Sequence, residues 1–247
     1  MKKRKIILGT MILVICIIIF FIISPEGKKV INLKNDMAGS SVIVDIYKGE
    51  HYLHDFKVNY LITIKTPPQM AIWVEDLEGN YIDTLYVTRK TVNQSWSKAP
   101  SDPTLKDQIQ RKESLPYWTH KRGDSQIAPD AITSATPKGN LELNTKLNTA
   151  KDQFVVLAEI NMSTDFNEYY PKEAIQGDNN YSGGEFGSGQ PSIIYAATIN
   201  AADNKTYELV PIGHSSPDGS NGNLYSDLTK LTTAKNIVDK IAFTINR

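Results

Sequence analysis

A hydroxyl, a group of carboxylates and a row of phenols are the side chains here whose types and spacing suit chemistry. Asp130-Ala-Ile-Thr-Ser-Ala-Thr136 ends on a threonine followed by Pro137, and proline biases the residue before it to extended backbone. The Thr136 hydroxyl is therefore expected to stand clear of the chain, although Ser, Thr and Pro also make an ordinary loop. Asp218, Ser220, Asn223 and Asp227 gather oxygen atoms in a glycine loop, the donor set a Ca²⁺ ion takes. The register is poor: counting back from Asp227 as twelfth ligand position puts Ser216 first and Asn221 sixth, where Asp and Gly are required. Side chains bonding their own backbone account for the same residues. His51, His54 and Asp55 crowd one turn, with His120 and His214 elsewhere, and two histidines three apart can share a metal. Tyr169, Tyr170, Tyr181, Tyr195 and Tyr225 can stack on sugar rings if exposed, or serve as half-buried strand residues.

Several familiar chemistries are missing. No Gly-x-Ser-x-Gly elbow and no His-Glu-x-x-His occurs. The glycine-rich run Gly183–Gly189 enters a strand pattern rather than a helix, so it does not make a phosphate cradle. Glu75 and Asp76 point to opposite faces of a strand and cannot share a substrate.

The elements that must position these groups are mostly strands. Ala71–Glu75 and Tyr81–Thr88 flank Glu78-Gly79-Asn80, where a Gly-Asn pair suits a tight hairpin. Period two puts Tyr81, Asp83, Leu85 and Val87 on one face of it and Ile82, Thr84 and Tyr86 on the other. Ser41–Tyr47 and Val58–Thr66 read as a strand pair joined over residues 51–56, ended by Pro67-Pro68. Strands also follow at Leu141–Leu147, Gln153–Met162, Pro191–Asn200, Thr206–Gly213 and Ile241–Ile245. From Thr91 to Gly139 the alternation stops, with a helix predicted from Asp102-Pro103 to Glu113 and ended by Pro116. So long an insertion in a β domain tends to carry function. Residues 177–190 and 214–227 read as loops, and Thr229–Asp239 as a short helix with Leu231, Ala234, Ile237 and Val238 on one side. Together these predict a mainly β, antiparallel, immunoglobulin-like sandwich over residues 41–247, with a helical and loop insertion and one C-terminal helix.

Ahead of it, Lys2-Lys-Arg-Lys5 precedes an uncharged apolar run from Ile6 to Ile23, about 27 Å long as a helix. This predicts a cytoplasmic tail (1–5), an uncleaved transmembrane helix (6–23) and a polar linker (24–40), the rest crossing to the outside. The chain has 27 basic and 27 acidic residues, and the four basic ones at positions 2–5 leave the remainder at −4, which argues against nucleic acid as a partner. Its one cysteine, Cys16, lies in the apolar run, so disulfides and Cys-ligated metal sites are excluded from the body.

AIWVEDLEGNYIDTLYV, SLPYW, DAITSATP, FVVLAEINMSTDFNEYY, GQPSIIYAATI and GHSSPDGSNGNLYSDLTKLTTAKNIV, in this order, resemble the bacterial family called domain of unknown function 2271. That resemblance spans roughly residues 42–245 and implies an extracytoplasmic location, with no established enzymatic role. The stretch from Asp130 is also similar to the Asp-x-x-Ser/Thr-Gly-Ala-Thr motif of extracytoplasmic FMN-binding proteins, in which a flavin transferase esterifies the last threonine. Asp130, Thr133, Ala135 and Thr136 match it, and Ser134 replaces the glycine. The likeness implies FMN on Thr136, with Lys121, Arg122 and Lys138 near the phosphate and Trp96 or Trp118 stacked on the ring. Two expectations result: a membrane-anchored interaction or ligand-binding domain using the insertion and the two loops, or a redox carrier with covalent FMN, served by a flavin transferase or membrane redox partner.

Overall fold

The computed structural model describes residues 27–57, 61–94, 96, 103, 105, 109–133 and 136–246. The expected tail and transmembrane segment (1–23) lie outside the described residues, as does most of the helix expected at 102–113. Residues 109–113 are not helical. Among the described residues no helix is long and apolar enough to cross a membrane.

The described residues form twelve strands: β1 (Lys29–Asn32), β2 (Ser40–Lys48), β3 (His54–Lys57), β4 (Thr63–Thr66), β5 (Gln69–Glu75), β6 (Tyr81–Thr88), β7 (Ile132–Thr133), β8 (Leu141–Leu147), β9 (Gln153–Asn161), β10 (Ile193–Asn200), β11 (Thr206–His214) and β12 (Val238–Asn246). Ten make one sheet in the order β1-β8-β2-β12-β11-β10-β9-β5-β6-β7, and β3 pairs with β4 apart from it. The outermost pairs, β1 with β8 and β6 with β7, are parallel. This corrects the sandwich: the molecule has one mixed sheet curled around its own core, not two antiparallel sheets face to face. Val42, Val44, Ile46, Leu141 and Leu143 from one half meet Met70, Ile72, Val74, Phe154 and Val156 from the other in a single cluster. A twisted, bulged sheet can cover its own inner face, so no second sheet is needed.

The bulges are visible in β6, where pairing slips between Ile72 and Trp73 and again between Val74 and Glu75. Each slip leaves one extra residue on β6, Leu85 and Ile82. Strict alternation is thereby broken: Tyr81 and Val87 pack outward while Leu85 and Tyr86 both join the inner core. Asp83 turns inward to take the buried Lys34 ammonium at 2.6 Å, an ion pair from one side of the curl to the other. The face assignment by period two fails here for that reason. In the turn itself, Gly79 takes φ 81° while the Asp76 carboxylate accepts from the amides of Glu78 and Asn80.

Burial patterns explain the rest. β8 alternates along its whole length, because only its inner face is covered, whereas Val156–Ile160 of β9 is buried without interruption. Its outer face is covered by the insertion: Leu115, Tyr117 and Trp118 pack on Ala71, Trp73, Leu157 and Ile194. Three further expectations are corrected. Lys29–Asn32, read as linker, is an edge strand in the sheet. Thr63–Thr66 pairs with His54–Lys57, while β2 lies between β12 and β8. The C-terminal helix is one 3₁₀ turn, Thr233–Asn236, which leads through Ile237 into β12. β-Branched Thr232, Thr233, Ile237 and Val238 disfavour a longer helix, and Gln190 captures the Thr232 amide at 2.6 Å.

Register fixes the ends of the sheet. The connections 33–39, 76–80, 148–152 and 201–205 lie at one end, and all are short. The segments 49–68, 89–140, 162–192 and 215–237 leave from the other.

Candidate functional site

At that second end, the segments 162–192 and 215–237 enclose a cleft of about 440 Å³. Tyr169, Tyr170, Tyr181 and Tyr225 line it with Asp178, Asp218, Asp227, Asn221, His214 and Lys230. This volume lies within the range of small-ligand sites.

Polar side chains hold the walls. Asn167 accepts from the amides of Tyr169 (3.0 Å) and Tyr170 (2.8 Å), and its own amide donates to the Lys230 carbonyl at 2.9 Å, joining one wall to the other. Beneath, the buried carboxylate of Asp165 accepts from Thr233 Oγ1 at 2.6 Å and from Gln190 Nε2 at 3.0 Å. Asn180 donates to the Tyr169 carbonyl at 2.7 Å, which sets the 177–181 turn against the tyrosine pair. On the other wall, His214 and Tyr225 exchange backbone hydrogen bonds of 2.8 and 2.9 Å, and their rings stack at 5.3 Å and 13°. Tyr169 meets Tyr170 edge to face at 4.9 Å, with the Lys230 ammonium 5.2 Å from the Tyr169 ring.

The electrostatics favour polar ligands. Burial works against the Asp218 charge, yet hydrogen bonds from Ser216 and Ser220 hold its carboxyl below the ordinary range. The Asp227 carboxyl is held low by its hydrogen bonds from Thr229. Burial pushes the His214 imidazole down and keeps it neutral at pH 7. Its Nδ1 lies 2.7 Å from the Ser215 carbonyl, which can only accept, so Nδ1 carries the proton and Nε2 is the acceptor.

Of the five tyrosines singled out in sequence, Tyr169, Tyr181 and Tyr225 line this cleft with partly exposed rings, Tyr170 borders it from the core, and Tyr195 is buried in the core. The 214–227 oxygens mostly serve their own loop: Asp218 caps Ser220, Asn221 caps Asn223 and Asp227 caps Thr229. His51 and His54 both lie near enough to the Asp165 carboxylate to act on its charge, with His54 also beside Thr164, whereas His120 sits on the Pro116 carbonyl and His214 in the cleft. Among the described residues no group of three or more His, Cys, Asp or Glu is placed to hold a metal.

Asp130 is exposed in a 3₁₀ turn, Thr133 is half-buried in β7, and Ala135 lies outside the described residues. Thr136 is buried, and its hydroxyl donates to the Pro68 carbonyl at 2.6 Å. That hydroxyl is turned into the protein rather than offered to a phosphate. Lys121 bonds Glu75 and the Gly79 carbonyl at the far end of β5, about 20 Å from Pro68 along a seven-residue strand. Arg122 stacks on Trp118, whose indole donates to Thr84. Thr136 is thus not brought together with Lys121 and Arg122.

Sequence reading passed over the groups that tie the insertion to the sheet. Glu159, fully buried in β9, accepts from the amides of Tyr117 (3.2 Å) and Trp118 (2.7 Å) and from the Ser192 hydroxyl, which touches Ser215 at 2.6 Å. Burial pushes its carboxyl up to about 7, and does the same to Glu113. Glu113 lies against Gly183, and the Lys112 carbonyl against Gly219, so the insertion is the floor under both cleft loops and not itself a wall. The signal available was one acid, Glu159, within an otherwise apolar strand.

No family model, curated protein or solved structure matches the chain.

Proposed function

We propose that this protein is a membrane-anchored, extracytoplasmic binding domain whose cleft takes a polyhydroxylated ligand, a sugar or short glycan. The observation that carries this reading is the convergence of three accessible tyrosines, Tyr169, Tyr181 and Tyr225, with carboxylates, amides and a neutral imidazole acceptor in one cleft. Phenol faces stack on the C–H face of a pyranose, and carboxylate and amide oxygens take its hydroxyl protons. Asp218, Asp227 and Asn221 are already held by their own loop, so they meet a ligand without further ordering. The anchor is the Ile6–Ile23 segment, with the N-terminus in the cytoplasm. Among the described residues no catalytic constellation is complete.

The test is calorimetric titration of the full-length protein in detergent with a panel of neutral, acidic and amino-sugar oligosaccharides. At least one class should bind, and Tyr225→Ala should weaken it by about tenfold, since stacking on one ring is worth about 1–1.5 kcal/mol. A folded protein that binds no member of the panel, or a Tyr225→Ala variant that binds as tightly as the parent, would sink the reading.

A further inference from the structure

We infer that the β3–β4 hairpin rests on the outer surface of the same bilayer that holds the anchor, its aliphatic side chains entering the interfacial region. The inference depends on the anchor proposed above.

The hairpin's two strands pair with each other and not with the ten-stranded sheet. Leu61, Ile62 and Ile64 are exposed to 90, 50 and 45%. Three exposed aliphatic residues within four positions, on a ribbon not paired with the sheet, suit an interaction surface. Its base is fixed: the Tyr52 hydroxyl donates to the Pro137 carbonyl at 3.0 Å, and His54 Nε2 lies 3.3 Å from Thr164 Oγ1.

Chain geometry says which surface covers it. Lys29, the first residue of β1, pairs with Leu141, and its amide donates to the Asn140 carbonyl at 2.8 Å. The Asn140 side chain accepts from the Lys48 amide at 2.9 Å. The entry of β1 and the exit of β2 toward the hairpin thus meet at one residue, at the end of the sheet that carries the long loops. Residues 24–28 separate the apolar segment from Lys29, and the six steps from Ile23 to Lys29 can span at most about 22 Å. That end is held within this distance of the bilayer, and the hairpin springs from it. Aliphatic residues presented there lower their free energy by leaving water for the acyl boundary. The cleft shares this end, so its ligand is met close to the membrane surface.

The experiment uses full-length protein in phosphatidylcholine/phosphatidylglycerol vesicles with and without brominated acyl chains. An environment-sensitive fluorophore is placed on native Cys16, or, in a Cys16→Ser background, on Leu61→Cys, Ile64→Cys or Leu77→Cys. Leu77 is exposed in the 76–80 turn at the opposite end of the sheet. Brominated lipid should quench the label at Cys16 strongly, the labels at 61 and 64 by about twofold, and the label at 77 not at all. Quenching at Cys16 with none at 61 and 64 overturns the inference and leaves the anchor standing. Absence of quenching at Cys16 removes the anchor, and the inference with it. Equal quenching at 61 and 77 also overturns it, because the hairpin would then have no special place at the membrane.

Discussion

At the scale of single residues, the buried acids set the pH behaviour of this protein. Glu113 is raised from its ordinary 4.5 to about 7 by burial, so the folded state holds a proton that the unfolded chain has released throughout that window. Its contribution is present below about 4.5, falls as pH rises toward 7 and is absent above. Glu159 and Asp165 act in the same direction, both raised by burial, while His214, depressed by burial, acts in the opposite one. Replacing Glu113 by Gln should flatten the fall in the thermal midpoint between pH 5 and 7.5, recovering about 3 kcal/mol at the upper limit. Superimposable midpoint-against-pH curves for parent and variant would show that Glu113 does not titrate in this window.

At the scale of elements, the cleft depends on how the 162–192 segment is folded back. Gly189 bridges Asp165 at φ 77°, and a Cβ there would lie 2.5 Å from the Asp165 carbonyl carbon. Gly189→Ala therefore combines a left-handed backbone cost of about 1–2 kcal/mol with a clash against main chain. The variant should lose about 3 kcal/mol of stability, with amide exchange accelerated across residues 163–192 and unchanged in β2, β8 and β12. Uniform acceleration over all strands would place Gly189 in the global folding unit instead. Element identity was largely legible in the sequence: β8 was read with its observed bounds, and β9, β10 and β11 came close. What escaped were β3 and β7, short strands inside segments read as a turn and as the insertion, and the β1 edge strand, whose four residues gain order by parallel pairing with β8. The helix expected over 229–239 was lost to side-chain captures from Gln190 and Asp165, partners far away in the chain.

At the scale of the whole molecule, curling the sheet brings Lys34 against Asp83. The Lys34 side chain is fully buried and that of Asp83 about a quarter exposed. Asp83→Ala leaves an ammonium inside the protein without its counter-charge. The loss should be about 2–3 kcal/mol in urea unfolding, less than for a fully enclosed pair because water still reaches Asp83. Lys34→Met combined with Asp83→Ala should recover most of it. An unchanged denaturation midpoint for Asp83→Ala would mean that the curl is closed by the apolar core alone.

The sequence by itself determined what is local. Alternation marks strands with one covered face, continuous apolar runs mark strands covered on both, and glycine, proline and Asx residues mark turns, each acting through a few neighbouring residues. Tyr169, Tyr170, Tyr181 and Tyr225 were recognisable as candidate stacking groups for the same reason. Tertiary structure alone decided that these four share a cleft, that Thr136 turns inward to Pro68, and that one sheet bends round to cover itself. Those outcomes depend on bulges, on registers between distant strands and on buried polar bonds such as Glu159 to the Trp118 amide. Their partners lie dozens of residues apart, so no pattern along the chain encodes the pairing.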